Sequence, residues 1–207
     1  FNFIRADKSG LPMNEHFRNL AGVADELCVY HGCEGESINH PTAMYHMNTG
    51  NRFGGDPAMG AWVNYGLGTG NQNLPGYVVM LDQSGGPISG AKNWTSGYMP
   101  ASYQGTVFRP KGTPILDLKN ARNMSANEQQ VLLKHLSHFN HGHLSERVDN
   151  SNLAARIASY ELAYKMQSSA PEAVDVEGEA DHIKTMYGID HDRTEDFGKK
   201  CLLEQQM

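Results

Sequence analysis

The sequence has no cluster of lysine and arginine, no long apolar run and few cysteines, and each absence excludes a class of function. Its 17 basic residues are outnumbered by 23 acidic ones, which gives a formal net charge of −6. Nucleic acid is therefore not expected as a partner, because binding to a phosphate backbone depends on clustered basic side chains. No apolar stretch approaches the length that crosses a bilayer, so we expect a chain that does not span a membrane.

The three cysteines, Cys28, Cys33 and Cys201, are too few and too irregularly spaced to indicate a zinc site. The run CVYHGC has neither the Cys-x-x-Cys spacing nor a second cysteine pair. Cys28 falls in an apolar run with strand character and Cys201 in a helical one. We therefore expect buried, unreactive thiols.

The 207 residues, 39% of them hydrophobic, are enough for one sizeable core or a large part of one. The chain begins at Phe1 and ends in KKCLLEQQM, which has the pattern of an amphipathic helix without a stop signal. We therefore expect a fragment, in which residues 1–207 form a single incomplete domain. Residues 1–120 would be a strand-and-helix part with a glycine-rich loop region, and residues 121–207 a mainly helical part.

The first part of the chain carries patterns of both helices and strands. Apolar residues at helical spacing over Met13–Glu26 predict a helix, and the β-prone run Leu27–His31 after it predicts a buried strand. Pro75–Asp82 is the clearest strand. A helix-then-strand order favours an α/β domain. Further predicted elements are the helices Pro41–Asn48 and Pro57–Gly66, the second with Met59, Trp62, Val63 and Leu67 on one face, and the strands Thr106–Phe108 and Ile115–Leu118.

The second part of the chain is predicted to be mainly helical. Ser125 and Glu128 have the spacing of a capping box before an apolar run. A helix over Asn152–Ser168 is expected to end at Ala170–Pro171, because proline disfavours a helical residue before it. The remaining predicted helices are Glu179–Tyr187, which stops at Gly188, and a last one that begins near Thr194.

Three patterns each have a functional and a structural interpretation. The histidines of HLSHFNHGH (His135, His138, His141 and His143) indicate a zinc or nickel site or, as we favour, the solvated end of an amphipathic helix. Gly66–Gly70 (GLGTG) resembles a dinucleotide-binding loop, but it follows a helix rather than a strand, so we favour a plain loop. Ser84–Pro87 (SGGP) does follow a strand and could form an anion-binding nest, although we favour an ordinary turn.

The stretch GESINHPTAMYHMNTG places Asn39 and His40 at the predicted start of a helix. A helix N-terminus offers unpaired N–H groups and the positive end of the helix dipole, which suits an anion. Asn39 can cap the helix, Thr42 brings a hydroxyl into the first turn, and His40 could act as a donor, a metal ligand or a general acid. The plainer alternative is a cap and a surface histidine, and the local pattern favours it.

Several long segments together resemble the bacterial family called domain of unknown function 1501, which is placed in the alkaline phosphatase/sulfatase superfamily. The segments occur in family order and correspond to about the middle half of a family member. They are ELCVYHG, SINHPTAMYHMNTG, GDPAMGAWVNYGLGTGNQNLPGYVVMLD, SGYMPASYQGTVFR, ARIASYELAYKMQ and DFGKKCLL.

The resemblance implies a partial three-layer α/β/α sandwich of the alkaline phosphatase type. It also implies hydrolysis of phosphate or sulfate esters with one or two divalent metals (Zn, Mn, Ca or Mg), and export, often by a twin-arginine signal, to the periplasm or beyond. The family's metal-type motifs are an early aspartate and later Trp-Asp-x-His and Asp-His-His patterns. Since none of these occurs here, the expected ligands lie outside this chain, and Asp56 and Asp82 are not assigned in their place.

In sulfatases and related phosphoesterases the nucleophile lies at a helix N-terminus, with a proline close behind and Thr-Gly some residues later. NHPTAMYHMNTG is similar to that layout, with Pro41 and Thr49-Gly50 as landmarks. The nucleophile position holds Asn39 or His40 instead of Ser, Thr or Cys, so a formylglycine is excluded and a Ser/Thr alkoxide is disfavoured. Metal-activated water with His40 as ligand or acid stays open.

The leading hypothesis is therefore that this chain is part of an exported, metal-dependent hydrolase-like protein that acts on a phosphate or sulfate ester. His40 and Asn39 would face the oxyanion or a metal, and Thr42 would assist. The competing hypothesis is non-catalytic binding of a glycan, a surface polymer or a protein through the aromatic residues of the glycine-rich region, Trp94, Tyr98 and Tyr103. A third alternative, a histidine-rich metal carrier, depends on Leu132–His143 alone.

Overall fold

The computed structural model describes residues 1–109, 112, 114–115, 124–147 and 150–207, apart from the side chains of residues 126 and 168–173. The fold is mixed α/β, as predicted at that level. The chain divides into two compact units, Phe1–Gly35 and Glu36–Met207. The organisation expected from the sequence, a single incomplete domain that is mainly helical after residue 120, stays a prediction.

The first unit is a β-hairpin followed by helical turns. In the hairpin, Ala6 pairs with Leu11 across a turn at Asp7–Gly10. A small core of Ala6, Ala21 and Ala24 holds the hairpin against the helical turns. The elements are β1 (Phe3–Ala6), β2 (Leu11–Asn14), a 3-10 turn (Glu15–Phe17), the short helix α1 (Arg18–Ala21) and a second 3-10 turn (Ala24–Glu26).

Two predictions for this unit are wrong. The helix expected over Met13–Glu26 is broken into turns, because Met13 pairs with Ile4 in the hairpin and is drawn into a strand. The run Leu27–His31 is irregular and exposed, with 85% of Tyr30 accessible. A short apolar run is buried as a strand only where neighbouring strands pair with it, and no described strand pairs with this one.

The expectation of buried thiols is wrong for the same reason. Cys28 and Cys33 lie in or next to the irregular segment, and both are exposed free thiols. Cys201 lies in a helix, as predicted, but it is only half-buried there. The apolar character of the sequence around Cys28 did not bring it into a core.

The second unit combines a pair of parallel strands with five longer helices and one short one. Val79 faces Val107 in the strand pair, and a long connection links the two strands, as parallel pairing requires. The elements are α2 (His40–Thr49), α3 (Met59–Leu67), β3 (Val78–Met80), 3-10 turns at Gly90–Trp94 and Ala101–Tyr103, β4 (Thr106–Phe108), α4 (Ala126–Ser145), α5 (Ser151–Ala173), α6 (Asp181–Met186) and α7 (Glu195–Gln206). Among the described helices, none combines the length and apolar content needed to cross a membrane.

The core of this unit joins elements that are far apart in sequence. Leu74 precedes β3, Phe108 ends β4, Met166 lies on α5 and Leu203 on α7, and all four are buried in one cluster. Val78, Met80, Ile115, Leu162, Val174 and Met207 pack against this cluster. The core therefore fixes α7 beside the strand pair.

Most helix signals of the second unit are confirmed. Gly50 and Gly188 both have positive φ, 75° and 67°, at the ends predicted for their helices. The capping box of Ser125 and Glu128 is present, with Oγ of Ser125 accepting from the N–H of Glu128 at 3.3 Å. The predicted break at Ala170–Pro171 is wrong, because α5 runs on to Ala173. The predicted strand Ile115–Leu118 lies outside the described residues except for Ile115.

The apolar face predicted for α3 is exposed in the structure. Met59, Trp62, Val63 and Leu67 share that face, yet their exposed fractions are 72%, 46%, 52% and 86%. The helix instead packs through its small residues, with Ala61 fully buried. Gly60 faces the ring of Tyr77 so closely that a Cβ there would overlap it. The tight packing of a small-residue face leaves the large apolar face outward.

Candidate functional site

The predicted site lies at the N-terminus of α2. Asn39 has an extended backbone, and its side-chain oxygen accepts hydrogen bonds from the N–H and the hydroxyl of Thr42, at 3.5 and 3.4 Å. The N–H of Asn39 donates to Oγ of Ser37 at 3.1 Å. Asn39 is therefore an N-cap, as its local pattern predicts, and Thr42 is part of the cap.

The second unit holds α2 in place through its far side. The hydroxyl of Tyr45 donates to the carbonyl of Ser89 at 3.3 Å, and the amide of Asn48 donates to Oδ1 of Asn93 at 3.4 Å. Asn93 is buried, with 4% of its surface exposed. His40, at the first position of the helix, is exposed to solvent.

The described residues around His40 do not by themselves form a ligand set for a divalent metal. Structural zinc takes four ligands and calcium six to eight oxygens, whereas His40 offers one exposed imidazole. Across the described part of the chain, no group of three or more His, Cys, Asp or Glu side chains is close enough to hold an ion. The catalytic roles of His40, Asn39 and Thr42 stay predictions.

The histidines of α4 are exposed and engage the helix itself. Nδ1 of His141 lies 2.8 Å from the carbonyl oxygen of Ser137, and Nδ1 of His143 lies 3.1 Å from Nη1 of Arg147. The structure thus agrees with the solvated helix end that the sequence favoured.

The two loop patterns also have local explanations. In SGGP, the carboxylate of Asp82 accepts from the N–H and the hydroxyl of Ser84, at 2.8 and 2.6 Å, and these bonds lower the pKa of Asp82. An N–H group engaged in this way is not free to bind an anion, so the ordinary turn is the better interpretation. In GLGTG, Gly68 caps the end of α3 with φ 68°.

A cavity of about 490 Å³ lies at the carboxyl ends of β3 and β4. Met80 and Phe108, the last residues of the two strands, line it together with Leu81, Gln83 and Arg109, which follow them. Since the strands are parallel, both carboxyl ends meet at one edge, which is where open α/β sheets bind their ligands. Within the described residues, α2 contributes nothing to its lining.

Helix α7 forms another wall of the cavity, through Asp196, Lys199, Lys200 and Leu203. Nε2 of Gln83 donates to Oδ1 of Asp196 at 2.8 Å, which ties the loop after β3 to this helix. The remaining lining residues are Gly112, Pro114, Val174, Asp175, Val176 and Glu177. The walls therefore combine apolar side chains with an approximately balanced set of charges.

The two lysines of α7 are already paired. Nζ of Lys200 lies 2.5 Å from Oδ2 of Asp196, and Nζ of Lys199 lies 2.8 Å from Glu195 and 3.6 Å from Glu177. The hydrogen bond that Lys199 donates to the carboxylate of Glu195 raises the pKa of Lys199. Arg109, in contrast, forms no ion pair with any residue that the structure describes. Among the described lining residues, its guanidinium is therefore the cationic group that is free to meet an anion.

Sequence reasoning missed this cavity, although one signal pointed to it. Gln83 and Arg109 each follow a predicted strand, and the carboxyl ends of parallel strands lie side by side. The contribution of α7 had no such signal, because Lys199 is 90 residues further along the chain than Arg109.

Of the aromatic residues proposed for a binding surface, one is not available. Trp94 is buried, with 9% of its surface exposed, whereas Tyr98 is 70% exposed and Tyr103 half-buried. The two tyrosines instead contact rings of α3. Trp62 lies 6.2 Å from Tyr98, and Tyr65 lies 5.3 Å from Tyr103, as measured between ring centroids.

Comparison with known proteins gives one match. The sequence model of the family described as "Protein of unknown function (DUF1501)" matches residues 1–207. No curated protein and no solved structure matches the chain.

Proposed function

We propose that this chain, which belongs to the DUF1501 family of proteins of unknown function, as the match over residues 1–207 shows, binds an anionic ester. The binding site is the cavity at the carboxyl ends of β3 and β4. The ester is a phosphate or sulfate ester. The observation that carries the proposal is the position of Arg109 in this cavity, directly after β4.

Arginine suits such a ligand because its planar guanidinium can donate two parallel hydrogen bonds to a phosphate or sulfate group. Lys199 and Lys200 contribute less, since each is engaged with carboxylates of α7 or its neighbours. Among the described lining residues, an anion therefore meets Arg109, which is outside any ion pair, beside two paired lysines and the three carboxylates of Asp175, Glu177 and Asp196. This arrangement favours a ligand with a single anionic group.

The other walls fit the organic part of an ester. Met80 and Leu81 are half-buried and present apolar surface to the cavity, whereas Phe108 and Leu203 line it as buried core residues. Gln83 offers an amide whose orientation is held by Asp196. A volume of about 490 Å³ is within the range of small-molecule sites. A ligand of this class would place its anionic group on Arg109 and its apolar group against the core.

Hydrolysis of the ester is the activity that the likeness to the alkaline phosphatase/sulfatase superfamily suggests. In that proposal the protein is exported or periplasmic, the fold extends to a three-layer α/β/α sandwich, and a divalent ion (Zn, Mn, Ca or Mg) is held by residues beyond those described. The described residues supply ester binding and no ligand set for the ion, so no chemical step is assigned to them.

Calorimetry with 4-nitrophenyl phosphate and 4-nitrophenyl sulfate tests the binding proposal. We expect Arg109→Gln to weaken binding by about 10- to 100-fold, since a hydrogen bond to a charged group contributes about 1.5–3 kcal/mol. Arg52→Gln is the matched control: Arg52 pairs with Glu36 at 3.8 Å and does not line the cavity. Equal affinities of the two variants, or no binding by the unmodified protein, would refute the proposal.

Release of 4-nitrophenol in the presence of Zn²⁺, Mn²⁺, Ca²⁺ or Mg²⁺, measured on the longest natural reading frame that contains this sequence, tests the hydrolytic part separately. A detected activity that His40→Ala leaves unchanged would contradict the role predicted for His40. Binding without turnover in the presence of each of the four ions would agree with the proposed ester binding and contradict the proposed hydrolysis.

A further inference from the structure

Four aromatic rings of the second unit contact one another in a row. Trp62 lies between Tyr98 and Tyr65, with centroid distances of 6.2 and 6.4 Å, and Tyr65 continues the row to Tyr103 at 5.3 Å. The three contacts are edge-to-face, with interplanar angles of 75–86°. Such contacts fix the orientation of each ring, so a ligand meets a surface that is already ordered.

The row is open to solvent along most of its length. The exposed fractions are 46% for Trp62, 56% for Tyr65 and 70% for Tyr98. Val63 and Leu67 of the same helix are also exposed, so α3 carries several accessible apolar side chains besides the rings. Exposed patches that contain several large aromatic residues usually mark binding sites.

The two segments that carry the rings contain no charged residue and no histidine. This holds for the 21 residues from Pro57 to Tyr77 and for the 16 residues from Asn93 to Phe108. Both segments are instead rich in amide and hydroxyl side chains. These are Asn64, Thr69, Asn71, Gln72, Asn73, Asn93, Thr95, Ser96, Ser102, Gln104 and Thr106. Most of them lie outside the core, since only Asn93 and Ser96 of the set are buried.

We propose that Tyr98, Trp62, Tyr65 and Tyr103 form a binding surface for a neutral carbohydrate. The apolar faces of sugar rings stack on aromatic side chains, and sugar hydroxyls pair with uncharged groups that both donate and accept hydrogen bonds. A charged glycan or an anionic ester would find no counter-charge in these segments. The surface is separate from the proposed ester cavity, since none of the four rings lines it.

The tryptophans allow a direct test by fluorescence. The chain has two, and Trp62 is half-exposed whereas Trp94 is buried, so a ligand on the row alters the emission of Trp62 alone. The probes are the neutral hexasaccharides cellohexaose and laminarihexaose, with dextran sulfate as the charged comparison. We expect at least one hexasaccharide to shift the emission to shorter wavelength and to protect it from acrylamide quenching, and dextran sulfate to do neither.

Variants assign the response to the row. Trp62→Phe should abolish the emission change while the emission of Trp94 reports an intact core, and Tyr98→Ala should weaken binding by about tenfold. Tyr30→Ala, which removes an 85% exposed tyrosine of the first unit, is the control and should bind normally.

Three results would overturn the proposal. They are no response to either hexasaccharide, an equal or stronger response to dextran sulfate, and a sedimentation profile in which Tyr98→Ala disrupts a dimer. The last would show that the row is covered by a second copy of the chain. Failure of the ester-binding test does not affect this inference, because Arg109 is outside the row.

Discussion

Substitution of Gly198 by alanine should destabilise the second unit, although alanine is the better helix former. Gly198 is buried on α7, and a Cβ there would overlap the carbonyl oxygen of Tyr187 and lie 3.1 Å from its carbonyl carbon. It would also lie 3.3 Å from Cγ1 of Ile189. Tyr187 and Ile189 flank Gly188, which ends α6 with a positive φ, so this backbone has little freedom to withdraw.

The expected magnitude follows from two opposing effects. Overpacking a core position costs about 1–3 kcal/mol, and a clash with backbone belongs near the upper end of that range. Replacement of glycine by alanine within a helix returns about 1 kcal/mol. The net loss in the free energy of unfolding is therefore about 2 kcal/mol.

Gly142 of α4 is the matched control, because an added Cβ there meets nothing within 4 Å. Gly142→Ala should stabilise the protein by up to about 1 kcal/mol. Urea unfolding followed by far-ultraviolet circular dichroism measures both variants. Both substitutions add one methyl group to a helix, and they should change the free energy of unfolding in opposite directions.

The added Cβ of Gly198→Ala should also displace α7 and thereby change the wall of the cavity. Gly198 lies between Asp196 and Lys199 on the helix wall, and Asp196 holds Gln83 at 2.8 Å. Gly198→Ala should therefore also weaken binding of 4-nitrophenyl phosphate, whereas Gly142→Ala should not. A neutral or stabilising effect of Gly198→Ala would refute the close approach of α7 to the end of α6.

Two further predictions concern the core and the response to acid. Phe108→Ala should lower the free energy of unfolding by about 3–5 kcal/mol, because Phe108 is 2% exposed at the centre of the core. Phe53 is 73% exposed, so Phe53→Ala is the control and should change this free energy by less than about 0.5 kcal/mol. Urea unfolding measures both variants. Hydrogen bonds from Ser125 lower the pKa of Glu128 below its ordinary value of 4.5, so the stabilisation from this cap is present above that pH and is lost as the pH falls through the lowered value. The helicity of α4 in acid titrations should reflect this loss, and Glu128→Gln should remove that part of the pH dependence.

Helix ends were the most predictable part of this fold, since a cap depends on a few neighbouring residues. Asn39 accepts from the N–H of Thr42, Ser125 and Glu128 close their box, and Gly188 ends α6, as their local patterns indicate. The parallel strands were predictable in part, because apolar β-prone runs mark Val78–Met80 and Thr106–Phe108. Their mutual pairing was not, since it depends on the path of the connection between them.

Burial was predicted least well. The apolar face of α3 and the run Leu27–His31 both have the composition of buried elements, yet both are exposed. Hydrophobicity shows which residues gain from burial, but the presence of a partner surface is decided by distant parts of the chain. Trp94 is the opposite case: it was assigned to a binding surface and lies in the interior.

The sequence alone determined the family, the α/β class and the caps of the helices, because these depend on residue identity and short spacings. It also placed Asn39 and His40 at a helix N-terminus. Only the tertiary structure decided that Arg109 and α7 share a cavity, and that Trp62 and Tyr65 join Tyr98 and Tyr103 in one exposed row. Such groupings bring together residues tens of positions apart. They form only when the core aligns strands and helices whose local sequences do not indicate that they pack together.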